Sequence, residues 1–184
     1  MTAGDKGSSI LSRPEIATIR REEARRGAKT LDATYRCLEF QDLEICFDNA
    51  LRRIVTSLLR EIDPFLVFTT PPHDYMFDHE ITSQPVRDAC FNAGCVNYPT
   101  EVAGAISAIP YLYHSDAIEG HDIFGHPSRV TTLVDISAPM ETKAQALMCH
   151  DSQRAWLQKQ HGMDNYIENI KSWSAGCGQE IGAE

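Results

Sequence analysis

The stretch FLVFTTPPHDYMFDHEIT, residues 65–82, decides the fold. It begins with an uncharged run of β-branched and aromatic residues, which is typical of a buried strand. Pro71 and Pro72 follow, and they end the strand because proline has no backbone N–H to donate. From Asp78 onward the pattern becomes helical. The stretch therefore predicts a strand, a loop and then a helix.

The loop of this stretch carries the best candidates for chemistry. Side chains that bind metal ions or transfer protons cluster there, namely His73, Asp74, Asp78, His79 and Glu80. In parallel α/β sheets, ligands bind just beyond the carboxyl ends of strands. A catalytic zinc ion needs about three protein ligands and an open position for water, and His79 is suited to be one of them. The alternative is a surface Asp–His pair that only tops a helix, and the dipeptide alone does not separate the two.

A parallel sheet is predicted from the order of the elements. A short strand is expected over residues 35–40, and the clearest helix follows, because apolar residues recur at i, i+3 and i+4 spacing from Phe47 to Ile62. With the strand at 65–70 these form a βαβ unit, which implies parallel pairing. Further strands are expected over 109–114 and 130–137.

Helices are expected on both sides of the strands. One opens at Ser12, with Pro14 and Glu15 in its first turn. Its buried stripe is predicted to consist of Ile16, Ile19, Ala24, Ala28 and Leu31. Others are expected over residues 78–93, with Pro85 in or near the first turns, from Pro139 through Trp156, and from about Asp164 onward. The weakly patterned segment 97–105 is a lid or a short helix. The result is an α/β fold with a mostly parallel sheet flanked by helices.

Composition narrows the classes of protein. The 184 residues suffice for a single domain, 1–184, with its own core. A net charge of −9 argues against a nucleic-acid partner. No run approaches the roughly 18 apolar residues that a membrane span needs, and no apolar signal segment is visible, so a cytoplasmic location is expected. The six cysteines form no C-x-x-C pair and are expected to be reduced, mostly buried thiols.

Four segments, in this order, resemble a known family. MTAGDKGS is similar to the loop after the family's second strand, and TIRREEA to its R-x-x-E helix through Arg20 and Glu23. PPHDYMFDHEIT stands at the place of its HPDH motif. KAQALMCHDSQ is similar to K-x-x-A-x-x-x-H-x-S-Q through Lys143, His150, Ser152 and Gln153. The family is that of the LmbE-like, or PIG-L, zinc-dependent N-acetylglucosaminyl deacetylases.

The resemblance implies roles for individual residues. His79 stands where the family has a zinc ligand, and Asp78 where a carboxylate helps to position and tune that ligand. Met76 replaces the histidine that stabilises the oxyanion, and His73 is the candidate that could take its place. Residues on the substrate side are Arg20, which would line the pocket, and His150 and Gln153, which would lie near the rim.

The resemblance also implies a Rossmann-like fold, a zinc cofactor and amide hydrolysis. The substrate would be an N-acetylated amino sugar or its conjugate, and the protein a homo-oligomer. The family's A-H-P-D-D motif, which supplies the other zinc ligands and the general base, does not occur in this sequence. The chain would then lack the first strand and be truncated at both ends. The alternatives are a deacetylase, a non-catalytic relative that binds a sugar or a partner in the same cleft without metal, and a structural remnant.

Overall fold

The structure is a computed structural model that describes residues 1–102, 104–117, 120–161 and 165–182. The helices are α1 (Arg13–Thr30), α2 (Asn49–Ile62), α3 (Phe77–Asn92), α4 (Met140–Met148), α5 (Asp151–His161) and α6 (Tyr166–Gln179). The strands are β1 (Leu66–Thr69) and β2 (Tyr111–His114). Two compact units form: unit 1 comprises residues 1–42 and 130–184, and unit 2 comprises residues 43–129. The single domain expected from the sequence stays a prediction.

Unit 2 is built around a parallel strand pair. Leu66 of β1 lies opposite Tyr111 of β2, and Thr69 lies opposite His114. Helix α3 connects the two strands, so β1, α3 and β2 form a βαβ unit. Because the strands are parallel, both carboxyl ends lie at the same edge of the sheet. Strands form at the positions predicted, 65–70 and 109–114, and the α/β fold with a small parallel sheet and flanking helices is confirmed. The expectation that the first of them is a buried strand was wrong, since Phe65 and Phe68 are exposed and Thr69 is the buried residue of β1.

Helix α2 supplies part of the core of unit 2, and the helix predicted from its apolar spacing is confirmed, although Ile54 and Ile62 of that stripe are exposed. Leu51, Val55 and Leu59 are buried, and α2 packs on α3. The side chain of Asp48 accepts a hydrogen bond of 2.8 Å from the backbone N–H of Leu51, which caps the helix. Asp63 ends it in the left-handed region, with φ of 47°. The helix is therefore fixed at both ends by its own sequence.

Arg60 of α2 holds the segment that follows α3. Its guanidinium donates hydrogen bonds to the carbonyl oxygens of Cys95 (2.6 Å), Tyr98 (3.1 Å) and Ala93 (3.3 Å). The described residues of the predicted lid or helix at 97–105 form no helix, and the contacts of Arg60 fix part of that segment against α2.

Two predicted strands do not form. In the segment 35–40, Phe40 makes one isolated bridge with Thr2, and Glu39 has a positive φ of 59°, which interrupts an extended strand. The segment 130–137 pairs with no strand among the described residues, and its Val130 and Val134 side chains are exposed. The βαβ unit expected around α2 was therefore wrong, since the helix between the paired strands is α3.

The buried face of α1 in unit 1 differs from the predicted stripe. Ile19 and Leu31 are exposed, whereas the buried residues are Ile16, Ala17, Glu23 and Gly27. Small residues let α1 approach α4 closely: a Cβ at Gly27 would lie 3.2 Å from the carbonyl oxygen of Ala146. The helix predicted from Pro139 through Trp156 is two helices, α4 and α5.

A half-buried carboxylate also ties the start of the chain to α1. Asp5 accepts hydrogen bonds from the guanidinium of Arg13, with Nε at 2.8 Å, and from the backbone N–H of Asp42 at 2.8 Å. Burial raises the pKa of Asp5, but these hydrogen bonds and the charge of Arg13 lower it by more. The pKa of Asp5 therefore lies below its ordinary value.

Three further expectations, on Pro85, the cysteines and the last helix, are compared with the structure here in turn. Pro85 lies inside α3 rather than in its first turns, so the backbone bond that its N–H would donate is missing there. All six cysteines are free, but Cys90 is the one that is buried, so the expectation of mostly buried thiols was wrong. The expected start of the last helix near Asp164 lies outside the described residues. Among the described residues, no helix is both long and apolar enough to cross a membrane.

Candidate functional site

Three elements of unit 2 meet at the carboxyl edge of the sheet, and Thr70 joins them. Thr70 follows β1 directly, and its hydroxyl donates a hydrogen bond of 2.6 Å to the carbonyl oxygen of His79 in α3. The Thr70 carbonyl accepts a bond of 2.9 Å from Nδ1 of His114 at the end of β2. The first turn of α3 is thereby fixed where ligands bind in parallel α/β sheets.

His79 lies beside a buried carboxylate. Its Nδ1 lies 3.1 Å from Oδ1 of Asp74, whose side chain is 3% exposed, while the side chain of His79 is 35% exposed. Asp74 is itself fixed, because its Oδ1 accepts from the N–H of Met76 (2.9 Å) and its own N–H donates to Oε1 of Glu80 (2.9 Å). The ring of Tyr75 meets the imidazole edge-on, with centroids 5.9 Å apart. A carboxylate at Nδ1 is the arrangement usually found behind a metal-binding histidine.

Asp74, and not Asp78, is the carboxylate that lies beside the His79 ring. The resemblance gives the positioning role to Asp78, which adjoins His79. In the structure, Oδ2 of the buried Asp78 accepts a hydrogen bond of 2.6 Å from the backbone N–H of Leu43. Asp78 thus anchors the chain that leads into α2, and its catalytic role stays a prediction. The signal for Asp74 was its place among the polar residues of the loop, although spacing alone could not show which carboxylate reaches the ring.

His73, the candidate to replace the family's oxyanion-stabilising histidine, is exposed. Nδ1 of His73 lies 4.0 Å from Oε1 of Glu80, and the His73 side chain is mostly in solvent. Met76 caps α3 without a side-chain hydrogen bond. The role of His73 in stabilising an oxyanion therefore stays a prediction.

Two of the predicted substrate residues meet in unit 1. Nη2 of Arg20 donates to Oε1 of Gln153 at 2.8 Å, and the guanidinium also donates to the carbonyl oxygens of Gly4 and Gly7, both at 2.9 Å. A Cβ at Gly4, whose φ is 64°, would lie 2.3 Å from Nη1 of Arg20, so the loop needs glycine there. Burial lowers the pKa of Arg20, although nearby carboxylates oppose this. Among the described residues, its buried Nε has no partner.

The same two motif segments are joined by a second contact. The carboxylate of Glu23 accepts from the backbone N–H and from the hydroxyl of Ser152, each at 2.7 Å. His150 packs close to α1, since a Cβ at Gly27 would lie 3.3 Å from its Nε2. In unit 1, the contacts of Arg20 with Gln153 and of Glu23 with Ser152 therefore join α1 to α5, and His150 lies beside α1 at Gly27.

The described residues do not fit a complete zinc site. Among them, no group of three or more histidine, cysteine, aspartate or glutamate side chains is arranged to hold a metal ion. His79 is suited to be one ligand, because its Nδ1 is already engaged. Asp74 and Asp78 are occupied by the ring and by a backbone N–H.

A second Asp–His pair in unit 2, Asp122 and His126, lies at the surface. Nδ1 of His126 lies 3.1 Å from Oδ2 of Asp122, but the His126 side chain is 75% exposed. The backbone N–H groups of His126 and Phe124 both donate to Oδ1 of Asp122, and these bonds hold the pKa of Asp122 below its ordinary value. These bonds close the loop at residues 122–126. The nitrogen–oxygen distance equals that of the Asp74–His79 pair, but the His126 side chain is far more exposed.

Comparison with known proteins finds a family model that matches the first part of the chain. The model of the PIG-L family, described as GlcNAc-PI de-N-acetylase, matches residues 1–90. That range contains Arg20, the loop with Asp74 and the whole His79 stretch. Members of this family are generally zinc-dependent.

Solved structures with a similar fold include proteins of different activity. An N,N′-diacetylchitobiose deacetylase from Pyrococcus horikoshii is 26% identical, with a TM-score of 0.71 over 100% of this chain and 67% of its own. A conserved protein from Thermus thermophilus is 24% identical, with a TM-score of 0.78 over 100% of this chain and 74% of its own. The hydratase GalB from Pseudomonas putida, which acts on 4-carboxy-2-hydroxymuconate, is 19% identical, with a TM-score of 0.74 over 95% and 69%. The last two show the fold alone.

The fold is therefore of the LmbE type. The resemblance inferred from the motifs is confirmed: this chain resembles the PIG-L family, whose model matches residues 1–90.

Proposed function

We propose that this protein is a deacetylase-type hydrolase that removes an N-acetyl group from an amino sugar or its conjugate. The observation that carries the proposal is the His79–Asp74 pair at the carboxyl edge of the sheet, with Nδ1 and Oδ1 3.1 Å apart, inside the stretch that the PIG-L family model matches. The similar fold of a hydratase means that the fold alone does not choose the reaction. The family match and the pair together favour the hydrolase.

The reaction adds water to the acetyl carbonyl carbon and breaks the bond to nitrogen, so that acetate and a free amine are released. His79 is the described residue suited to bind a zinc ion with Nε2, since Nδ1 is engaged by Asp74. Zinc is proposed as the cofactor because family members are generally zinc-dependent. The described residues bring no second and third metal ligand to His79, so the remaining zinc ligands would have to be other residues.

The substrate side of the proposal rests on unit 1. Nη2 of Arg20 donates to Oε1 of Gln153 at 2.8 Å, and His150 lies beside Gly27 of the same helix, α1. Arg20 also fixes the loop at residues 4–7, so it is expected to shape the substrate surface as well as to contact the substrate. An N-acetylated amino sugar as substrate, a homo-oligomeric state and a cytoplasmic location belong to the same proposal.

A second candidate is a non-catalytic relative that binds a sugar or a partner without metal. Two observations favour it: the described residues assemble no group of three metal ligands, and Met76 stands where the family has a hydrogen-bonding histidine. Such a protein would bind its ligand at the same site without hydrolysing it.

One experiment separates the two. The full chain is incubated with N-acetylglucosamine, N,N′-diacetylchitobiose and an N-acetylglucosaminyl conjugate, with and without added Zn²⁺. Acetate is measured enzymatically, free amine by a fluorogenic reagent, and binding by calorimetry. Release of acetate and amine in equal amounts supports the hydrolase. Saturable binding without release supports the second candidate and overturns the first, and neither release nor binding overturns both.

A further inference from the structure

We propose that one face of the parallel strand pair in unit 2 is a two-fold interface, on which a second copy of this chain packs. The face is called the aromatic face, and its residues are Leu66 and Phe68 of β1 and Tyr111 and Tyr113 of β2. The inference rests on the homo-oligomeric state proposed above and names its surface. It is independent of the proposed reaction.

The register of the strands puts these four side chains on one side of the sheet. Leu66 lies opposite Tyr111, and Phe68 lies opposite Tyr113, in the parallel pairing. Because side chains alternate between the two faces of a strand, residues two positions apart share a face. The rings of Phe68 and Tyr113 are neighbours, with centroids 5.8 Å apart. The aromatic face is therefore continuous across both strands.

The aromatic face is open, whereas the opposite face is covered. Phe68 is 66% exposed, Tyr111 72% and Tyr113 40%. On the opposite face Thr69 is buried, so α3, which packs on both strands, lies on that side. Parallel sheets occur almost always with both faces covered. The described residues supply a cover for one face, and the aromatic face still needs one.

The charge pattern favours a second copy as that cover. Residues 64–73 and 102–115 contain no aspartate, glutamate, lysine or arginine, although the chain has a net charge of −9. Two copies of like charge repel each other least where the surface is uncharged, and a two-fold axis brings the same residues together from both copies. Without lysine or arginine, the face does not attract nucleic-acid phosphates or anionic lipid head groups.

The exposed area suffices for a small dimer interface. With about 200 Å² for a fully exposed aromatic side chain, the exposed parts of Phe68, Tyr111 and Tyr113 amount to about 350 Å². Phe65 and Ile109, which precede the strands and are also exposed, raise this to about 600 Å² per copy. Two copies would then bury about 1,200 Å², the lower end of the range for stable protein–protein interfaces.

The test is the mass of the full chain in solution, measured by light scattering and sedimentation equilibrium from about 1 to 100 μM. The wild type is expected to reach twice the 20.6 kDa of one chain. Phe68→Glu puts two carboxylates into the interface, one from each copy, and should raise the dissociation constant of the dimer by at least about 100-fold. Phe91→Glu is the matched control, because Phe91 is 64% exposed but belongs to α3 on the covered side. It should leave the dissociation constant unchanged.

A crosslink locates the interface without a charged substitution. The photoreactive variant Tyr111→p-benzoylphenylalanine keeps an aromatic side chain at an exposed position of the aromatic face. In a two-fold interface each copy contributes the same surface. Illumination is therefore expected to join two chains, and mass spectrometry should find the attachment within residues 65–69 or 109–113 of the second copy.

The outcomes separate the interface from the reaction. A wild type that stays monomeric at every concentration overturns the inference, and so do crosslinks confined to other segments, even if Phe68→Glu does not fold. A dimer that persists in folded Phe68→Glu overturns the inference but keeps the homo-oligomeric state. A dimer that Phe68→Glu breaks and that releases no acetate supports the inference and overturns the proposed reaction, whereas acetate release by a monomer does the reverse.

Discussion

Glu23 joins α1 to the first turn of α5, and its removal is expected to destabilise unit 1. The carboxylate is buried, with 2% of the residue exposed, and it accepts two hydrogen bonds of 2.7 Å from Ser152. A hydrogen bond to a charged group contributes about 1.5–3 kcal/mol, and the two are not fully additive. Glu23→Ala should therefore lower the free energy of unfolding by about 3 kcal/mol. Glu23→Gln, which keeps one acceptor, should lower it by about half as much.

The assay uses the position of the tryptophans. Both tryptophans of the chain, Trp156 in α5 and Trp173 in α6, belong to unit 1. Urea unfolding followed by tryptophan fluorescence therefore reports on the unit in which the contact lies. In thermal unfolding, a loss of about 3 kcal/mol corresponds to a Tm lower by roughly 6–12 °C for a chain of this size.

The neighbouring residue is the control. The Glu22 side chain is 64% exposed and pairs with Arg25 at 3.3 Å on the surface of α1. Such a pair contributes about 0.5 kcal/mol or less, so Glu22→Ala should leave the midpoint nearly unchanged. If Glu23→Ala and Glu22→Ala unfold at the same urea concentration, the reasoning that the buried contact fixes α5 to α1 is refuted.

Two further predictions concern charged groups. Replacement of Arg60 by Lys keeps the charge but cannot span the carbonyls of residues 93–98, so limited proteolysis should cut that segment faster than in the wild type; equal rates would show that the guanidinium does not hold it. Because the folded pKa of Asp5 is depressed, its stabilising contribution is present above about pH 4 and is lost as the pH falls through the folded pKa. The stability advantage of the wild type over Asp5→Asn should thus be constant above about pH 5 and shrink below about pH 4, and a constant difference down to about pH 2 would contradict it.

Strong local patterns predicted the centre of unit 2. The uncharged run before Pro71 became β1, although Phe65 and Phe68 are exposed. The apolar spacing became α2, whose Leu51, Val55 and Leu59 are buried. The partner strand was misassigned because residues 35–40 resemble a strand by composition, whereas Glu39 takes a positive φ that breaks the extension. Strand propensity is averaged over a segment, so it does not reveal that a single residue has a left-handed backbone conformation.

The candidate site was predictable in part. The motif placed His79 at the end of β1, and the structure puts it there through Thr70. The identity of the orienting carboxylate was not predictable, because it depends on how the loop turns, and that turn brings Asp74 rather than Asp78 to the ring. The contact of Glu23 with Ser152 joins residues 129 positions apart, which periodicity within one helix cannot reveal.

The central claim is that Nε2 of His79 acts in the removal of an acetyl group. The most direct measurement is the rate of acetate release from an N-acetylated amino sugar by the wild type and by His79→Gln, with equal folding verified by circular dichroism. The account predicts turnover by the wild type and a loss of at least about 100-fold in the variant, about 3 kcal/mol of transition-state stabilisation. Equal rates for the two proteins would contradict it.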